Sequence, residues 1–293
     1  MFKYTIKRLI QSFITILLVM GLVFLLMQML SSYGFRRRML RQLAEYYGRF
    51  FGSGLGTSHG LQSGRRISVI FSEKIGISLK LGLISLGLSI LLGIPLGMLQ
   101  ARHKDRLIDS AGLAFTTLVN TIPELVRYSL ILYFGVSIFR FPTMYFVNRP
   151  AVSLVLPVVC LTLTSTANYA LWMRRYTVDE MSKDYVQLAA MKGLNRRQIM
   201  ARHVFVNAIV PMLQYLPTSI LMTVGGSMLV ERYFSIPGMG TLLIDAIEHR
   251  DVPLVMGCIF IYSGLSIMGV FLGDIMMTLA DPRIRLQHSA GSR

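Results

Sequence analysis

The chain has 293 residues, of which 53% are hydrophobic and only 15% are charged. A mean hydropathy of +0.56 excludes an ordinary soluble domain, because a water-facing surface needs far more charge. The formal net charge of +16 would indicate nucleic-acid binding in a soluble protein. Here the basic residues lie in short stretches between long apolar segments, which favours contact with membrane lipid and partner subunits and predicts no nucleic-acid partner.

Six apolar segments are long enough to cross a membrane as helices. A bilayer core about 30 Å thick needs about 20 apolar residues in a helix, since unpaired backbone groups are costly there. We therefore predict an all-α, polytopic membrane protein with six transmembrane helices. The predicted spans are residues 9–30, 77–99, 111–139, 152–173, 205–229 and 252–279.

The distribution of lysine and arginine favours a topology with both termini in the cytoplasm, by a small excess of basic residues on that side. This topology places a long loop, residues 174–203, in the cytoplasm. We predict two parts of the chain. Residues 1–76 hold the first span and an outer-side region, and residues 77–293 form a five-helix core.

The outer-side region begins with a strongly basic stretch and ends in a connection rich in glycine and serine. Arginines interleaved with aromatic rings predict a helix that lies at the membrane interface, with its rings in the bilayer and its guanidinium groups at the headgroups. A solvated charged loop is the alternative. The composition of residues 51–66 predicts a flexible linker. The basic stretch contains Arg36, Arg37, Arg38 and Arg41.

The cytoplasmic loop contains a short amphipathic segment. Met181, Tyr185 and Leu188 fall on one face of a predicted helix that ends at Gly193. Such a helix can dock its apolar face into a groove of a partner protein. Charged side chains beside it can fix the register of docking, and these are Asp184, Arg196 and Arg197.

The same loop resembles a known family. The run from Asp184 reads DYVQLAAMKGL and continues through NRR to the segment 202–211. It is similar to the cytoplasmic coupling loop of ATP-binding-cassette importer permeases of the dipeptide, oligopeptide and nickel branch. Gln187 stands where a generic importer loop begins with glutamate. The resemblance implies an ATPase-coupling role for Asp184, Tyr185, Leu188, Ala189, Ala190, Gly193, Arg196 and Arg197.

Two later stretches resemble the same branch. Residues 225–255 contain GGSMLVE followed by FSIPGMG, and residues 280–286 read ADPRIRL. Glycines and a proline close together suit a re-entrant or hairpin element on the outer side, with a plain solvent loop as the alternative. The resemblance implies an outer-side gate or receptor contact at Phe234, Pro237, Gly238 and Gly240.

The resemblance covers nearly the whole chain and implies a permease subunit of an importer in a bacterial inner membrane. This subunit would form half of the translocation pathway for peptides or a related small solute. The implied partners are a second homologous permease, two ATP-binding subunits and an extracytoplasmic substrate-binding protein. The sequence has no glycine-rich phosphate loop and no clustered metal ligands, so we predict no enzyme activity and no cofactor in this chain. ATP and magnesium belong to the partner ATPases.

Charged residues in the third predicted span are candidates for the translocation pathway. Glu124 and Arg127 lie three residues apart, where intramembrane charges are costly unless they are paired or face a cavity. We predict that they line the pathway with Asn120 and contact the charged ends of a zwitterionic peptide. A structural ion pair is the alternative.

The sequence leaves a protein of a different class as an alternative. An ion-gradient-driven secondary transporter would use intramembrane carboxylates such as Glu124 and Asp274 as relays. The coupling-loop motif argues against it, because such a transporter has no use for a cytoplasmic docking helix. The sequence also does not decide whether the substrate is an oligopeptide, a dipeptide, a nickel chelate or an opine-like ligand.

Overall fold

The computed structural model describes residues 2–30, 45, 47, 48, 52 and 54–280. In this part of the chain the regular structure is helical, and extended pairing is limited to one isolated bridge between Thr57 and Arg66. The all-α prediction is therefore confirmed for the described residues. The basic cluster at residues 36–41, most of the predicted interfacial helix and the motif after Ala280 lie outside them.

The helices are numbered here in chain order. They are α1 (Phe2–Leu30), α2 (Ile67–Arg102), α3 (Leu107–Thr121), α4 (Glu124–Phe139), α5 (Pro150–Ser153), α6 (Val155–Met181), α7 (Asp184–Met191), α8 (Arg196–Ile199), α9 (Phe205–Ala208), α10 (Val210–Leu213), α11 (Leu216–Gly225), α12 (Met228–Tyr233), α13 (Met239–Glu248) and α14 (Val252–Ala280). A π-helical segment, Met200–Val204, joins α8 to α9.

Several of these helices are long and apolar enough to cross a membrane. In the described residues three qualify alone, namely α2, α14 and the run Pro150–Met181 that joins α5 to α6. The number rises to five if two bent helix pairs are each one span. The apolar part of α1 covers Phe13–Met27 and is shorter. A polytopic helical membrane protein is therefore supported, and the count of six spans stays a prediction.

The third predicted span is two helices rather than one. α3 ends at Thr121, α4 begins at Glu124, and the two are bent by 107°. Pro123 explains the break, because a proline ring disfavours helical geometry at the residue before it. Ile122 accordingly has an extended backbone, with φ −71° and ψ 126°. The predicted span of residues 111–139 is therefore broken at Pro123, and its crossing of the membrane as one span stays a prediction.

The described residues divide between two compact units. Unit 1 consists of Met1–Leu79 and Met222–Met268, and unit 2 consists of Lys80–Leu221 and Gly269–Arg293. Helix α2 runs without a break across residues 76 and 77, where the sequence analysis divides the chain. That division stays a prediction.

The core of unit 1 forms where α2, α13 and α14 meet. Ile67 and Ile70 of α2, Met239 of α13 and Leu254 of α14 are fully buried in one apolar cluster. Between membrane helices, close packing of large aliphatic side chains stabilises the fold mainly through van der Waals attraction. The cluster therefore joins segments that are far apart in the sequence.

In unit 2, α2 and α6 approach closely through small residues. A Cβ atom at Gly93 would lie 2.7 Å from the Cβ of Tyr169, and one at Gly97 would lie 2.3 Å from the carbonyl oxygen of Ala170. Small residues four positions apart let membrane helices pack backbone to backbone. This face of α2 carries Ser85, Ser89, Gly93 and Gly97.

We expect Gly97→Val to destabilise the protein by about 1–3 kcal/mol, because the new side chain has no space beside Ala170. Gly87 lies on the same helix, and a Cβ atom there would have nothing within 4 Å, so Gly87→Val is the matched control. Thermal unfolding in mild detergent, followed by size-exclusion chromatography, measures both variants. Equal losses in the two variants would contradict the close packing.

Candidate functional site

The cytoplasmic loop predicted from the sequence contains a short helix followed by a tight turn. α7 covers Asp184–Met191, and Gly193 follows at φ +81°. This left-handed conformation favours glycine and lets the N–H groups of Gly193 and Leu194 bond back to α7, at 3.0 Å and 3.3 Å. The glycine therefore ends the helix where the sequence indicates.

The turn leads directly into the next helix through a capping box. Asn195 Oδ1 accepts a hydrogen bond from the backbone N–H of Gln198 at 2.9 Å, and Gln198 Oε1 accepts one from the N–H of Asn195 at 3.0 Å. Both bonds satisfy donors that a helix start leaves free. Arg196 and Arg197 follow the cap as exposed residues. The loop is therefore a helix, a turn and a helix of fixed geometry.

Tyr185 holds α7 to both flanking segments. Its hydroxyl donates to Glu180 Oε1 at 2.6 Å, near the end of α6, and accepts from the side-chain amide of Asn207 at 3.1 Å, in α9. Partial burial and the hydrogen bond to Glu180 raise the pKa of Tyr185 to about 12. The hydroxyl is therefore protonated across the physiological pH range and keeps both contacts.

α7 has one buried face and one exposed face. Ala189 is 5% exposed and packs against Ile199 and Val204. On the other face, Leu188 is 49% exposed and Met191 is 78% exposed. Two large apolar side chains thus point away from the packed side of the loop, as expected of a surface that a partner covers.

The apolar stripe predicted for this helix is wrong for Met181. Met181 belongs to α6, because the backbone becomes extended at Lys183 before α7 begins. Tyr185 lies on the side of Leu188 but is half-buried between its two hydrogen-bond partners, whereas Leu188 is exposed. The remaining predicted coupling residues divide simply, with Ala189 buried and Asp184, Ala190, Gly193, Arg196 and Arg197 exposed.

We expect Tyr185→Phe and Asn207→Ala each to loosen the loop, because they remove the same hydrogen bond. Hydrogen exchange of the backbone amides over residues 184–194 measures this opening. The double variant should lower the free energy of opening by less than the sum of the losses in the two single variants. The difference, which is the coupling energy of the pair, should be about 1 kcal/mol. Simple additivity would mean that the bond does not hold the loop.

The second predicted site surrounds a buried carboxylate that the sequence analysis did not select. Glu231 is 0% exposed. Its Oε1 accepts from the Ser78 hydroxyl at 2.7 Å, and its Oε2 accepts from the N–H groups of Gly240 at 2.8 Å and Thr241 at 3.2 Å. These amides belong to the first turn of α13, where a helix has free donors and favours an anion.

Two glycines make room for this carboxylate. A Cβ atom at Gly226 would lie 2.2 Å from Glu231 Oε1, and one at Gly238 would lie 2.4 Å from Oε2. Gly226 also has φ +73°, a conformation that favours glycine. The family-like motifs GGSMLVE and FSIPGMG are therefore the shell around Glu231. The available signal was an acidic residue at the end of one glycine-containing motif and close before a second one, in an apolar region.

The four predicted gate residues lie around this centre. Phe234 is fully buried, Gly238 and Gly240 are buried beside Glu231, and Pro237 is exposed. Pro237 and Gly238 line a cleft of about 360 Å³, whose charged lining residues are Lys74, Arg232 and Asp245.

Asp251 holds the segment of residues 54–66 against the start of α14. Its carboxylate accepts from the Ser58 hydroxyl and from the N–H of Leu254 at 3.2 Å. Burial raises the pKa of Asp251, but these hydrogen bonds and those from the segment lower it by more, so that the net pKa is below the usual value. The composition predicted a flexible linker, whereas these residues form a closed loop. Three consecutive N–H groups complete the contact, those of His59, Gly60 and Leu61.

We expect Asp251→Asn to reduce the stability of the protein by about 1.5–3 kcal/mol at pH 7, because an amide accepts these bonds less strongly than a carboxylate. The folded pKa is lowered. The contribution of Asp251 is therefore present above the ordinary aspartate pKa and is lost as pH falls through the folded pKa. Thermal unfolding at pH 7 and in acid measures both effects, with the more exposed Asp245→Asn as control. If the difference in stability between the wild type and Asp251→Asn stayed constant as the pH was lowered into acid, Asp251 would not be the group with the lowered pKa.

The third predicted site lies at the break between α3 and α4. The buried guanidinium of Arg127 donates to the carbonyl oxygens of Val119 and Ile122, and to the Thr164 hydroxyl at 2.8 Å. Carbonyl groups at a helix end need such donors, above all in apolar surroundings. Arg127 therefore closes the end of α3 and joins it to α6.

Glu124 differs from Arg127 in its surroundings. Its side chain is 46% exposed, and its nearest approach to Arg127 is 3.9 Å, the outer limit of an ion pair. Asn120 and Thr121 are exposed at the same break. The structure thus brings Glu124, Arg127 and Asn120 to one place, with the arginine bound by backbone and the carboxylate half open.

The break lies partway along α6. At one end of α3, Asp109 accepts two hydrogen bonds from Arg174, at 2.5 Å and 2.7 Å. Farther along, Arg127 reaches Thr164, and a Cβ at Gly135 in α4 would lie 2.4 Å from Leu156. α3 therefore contacts the C-terminal part of α6, and α4 contacts its N-terminal part. The sequence analysis missed the Asp109–Arg174 pair, whose partners are 65 residues apart.

The described residues contain no group of three or more His, Cys, Asp or Glu side chains arranged to hold a metal ion. The two cysteines, Cys160 and Cys258, are buried as free thiols in different units. Both lie inside long helices and contribute to packing.

Comparison with known proteins shows the family. Residues 93–286 match the model of the binding-protein-dependent transport system inner membrane component. The oligopeptide transport system permease protein AmiC of Streptococcus pneumoniae is 38% identical over 213 residues, which are 72% of this chain and 42% of AmiC. The dipeptide transport system permease protein DppB of Lactococcus lactis subsp. cremoris is 28% identical over 306 residues, which cover 98% of this chain and 100% of that protein. DppB of Bacillus subtilis is 31% identical over 216 residues, 73% of this chain and 69% of its own length.

The chain thus spans less than half the length of AmiC and matches the Lactococcus protein from end to end. The family is a membrane transport component and not an enzyme, as the sequence motifs predicted. The chain belongs to the family of binding-protein-dependent transport system inner membrane components, the permeases of ATP-binding-cassette importers.

Proposed function

We propose that this chain is one of two permease subunits of an ATP-driven importer and forms half of the translocation pathway for peptides or a related small solute. The family supports the transport class. The names of the similar proteins, which are oligopeptide and dipeptide transport permeases, support the substrate class. The observation that carries the proposal is the exposed apolar face of α7 on a loop that Tyr185 holds from both sides.

In this proposal, α7 is the coupling helix that docks into an ATP-binding subunit. Leu188 and Met191 supply the apolar contact, and methionine adapts its shape readily to a groove. Exposed Arg196 and Arg197 contribute charge beside it. Because Tyr185 bonds to α6 and α9 together, a displacement of α7 by the ATPase would move both helices. ATP and magnesium act in the two ATP-binding partners.

The proposed pathway passes the break between α3 and α4. Broken helices near the middle of a membrane protein commonly supply the polar groups that contact a solute. Glu124 and Asn120 are exposed there, which supports contact of the carboxylate with the ammonium end of a peptide. Arg127 would act by fixing the geometry of the break through its bonds to the carbonyl oxygens at the end of α3.

The remaining partners follow from the same proposal. The second permease would complete the pathway, and an extracytoplasmic substrate-binding protein would deliver the peptide. The cleft lined by Pro237 and Gly238, with Lys74 and Arg232, supports an outer-side contact with that protein. In the proposed arrangement, the chain crosses a bacterial inner membrane six times and has both termini in the cytoplasm.

The test is purification of the tagged chain from its native membrane in mild detergent, with Met191→Glu compared with Met191→Leu. We expect the wild-type chain to bring down a second permease and ATP-binding subunits. Met191→Glu should lower ATP-dependent peptide uptake about tenfold, since a charge cannot enter an apolar groove, while Met191→Leu should keep uptake within about twofold.

Recovery of the chain without ATP-binding subunits, together with uptake that survives ATP depletion, would overturn the proposal in favour of a gradient-driven transporter. Equal uptake by the two Met191 variants, in a complex that assembles normally, would remove α7 from the coupling contact.

A further inference from the structure

A second cleft lies in unit 2, where α4 ends and α5 begins. Its volume is about 430 Å³, which is within the usual range of small-ligand sites. It is separate from α7 and from the break at Glu124. Its principal lining residues are Arg140, Pro142, Phe146, Asn148, Arg149 and Val152.

The two arginines in this cleft have no acidic partner within the described part of the chain. The described ion pairs use Arg65, Arg127, Arg174 and Arg232, and none of them involves Arg140 or Arg149. Both are exposed. Two guanidinium groups at one cleft present several parallel N–H donors, a geometry that suits phosphate or carboxylate oxygens. The cleft is therefore complementary to an anion.

The backbone at Arg140 fixes where this residue leaves α4. Arg140 follows α4 with φ +55° and ψ 33°, in the left-handed region, and its N–H bonds back to the carbonyls of α4. Glycine is the usual residue at this position of a helix end, because a side chain is disfavoured there. Replacement of Arg140 by glycine therefore removes the side chain without disturbing the helix end.

The opposite wall of the cleft is held in place by Ser153. Its hydroxyl donates to the carbonyl oxygen of Arg149 at 2.8 Å and accepts from the N–H of Phe146 at 3.2 Å. These bonds fold residues 146–149 onto the first turn of α5. Arg149 therefore projects from a fixed loop.

The surroundings of the cleft are apolar. Phe139 is 67% exposed, Val147 is 76% exposed, and Phe146 and Val152 are each nearly half exposed. The cleft also lies at the ends of candidate membrane helices, since α4 stops there and the run Pro150–Met181 begins. Aromatic rings and arginines together at such a level are typical of the boundary between acyl chains and headgroups.

We propose that this cleft binds an anionic phospholipid. Arg140 and Arg149 bind the phosphate oxygens, and the acyl chains lie along the exposed apolar side chains of Phe146 and Val152. An acidic segment of a soluble protein would satisfy the arginines but would leave the apolar rim without a partner. A lipid satisfies both features at once.

The experiment measures lipid bound to the purified protein. The whole protein, in its native complex, is delipidated and returned to bilayer discs that contain phosphatidylglycerol or phosphatidylcholine, and native mass spectrometry counts retained lipids. We expect preferential retention of phosphatidylglycerol by the wild type. Arg140→Gly and Arg149→Gln should each weaken that retention about fivefold.

Arg250→Gly is the matched control, because Arg250 also has a positive φ, +51°, and lies outside the cleft. It removes the same charge and relieves the same backbone conformation, so lipid retention should not change. Arg140→Gly should keep or raise the thermal stability of the protein, since glycine suits the backbone. A loss of lipid in that variant is therefore not a loss of fold.

Equal retention of both lipids by the wild type would overturn the proposal, as would unchanged phosphatidylglycerol retention in both cleft variants. If these variants instead lose binding of a soluble protein partner while lipid retention stays the same, the cleft takes an acidic protein segment and the lipid assignment fails.

Discussion

A backbone N–H or carbonyl group without a hydrogen-bond partner is costly in apolar surroundings, and every helix break in this chain leaves such groups. The structure meets this constraint with buried charged side chains. Arg127 donates to the carbonyls where α3 ends. Glu231 accepts from the amides where α13 begins, and Asp251 does the same at α14 and the loop of residues 58–61. At these three places the buried charge has the sign that the helix end favours.

The signs follow the partial charges of helix ends, with the cation on carbonyl groups and the anions on amides. A charge inside an apolar helix is therefore not by itself evidence of a solute pathway in this protein. Arg127 and Glu231 are occupied by backbone, whereas Glu124 is half exposed at the same break as Arg127. Hydrogen bonds to backbone groups distinguish the charges that hold the fold from the half-exposed Glu124. Position in the sequence does not provide this distinction.

The sequence was sufficient for the helical class, for most apolar helices and for the turn at Gly193, because these depend on local composition and on spacing. It was not sufficient for the buried carboxylates, since Ser78 and Glu231 are 153 residues apart and Ser58 and Asp251 are 193 residues apart. The effect of a proline on a helix could not be predicted from the local sequence either. Pro95 lies inside the unbroken helix α2, whereas Pro123 separates α3 from α4. Which outcome a proline has depends on partners that local sequence does not contain.

The discontinuity of unit 1 has a consequence for how the chain is made. Proteins emerge from the ribosome N-terminal end first. Ser58 and Ser78 are therefore synthesised long before Asp251 and Glu231, the carboxylates that bind them. Most of unit 2, residues 80–221, is continuous and is made in the interval. Unit 2 can therefore begin to pack inside the bilayer before the second part of unit 1 exists. The contacts of unit 1 form only after residues 222–268 have been inserted.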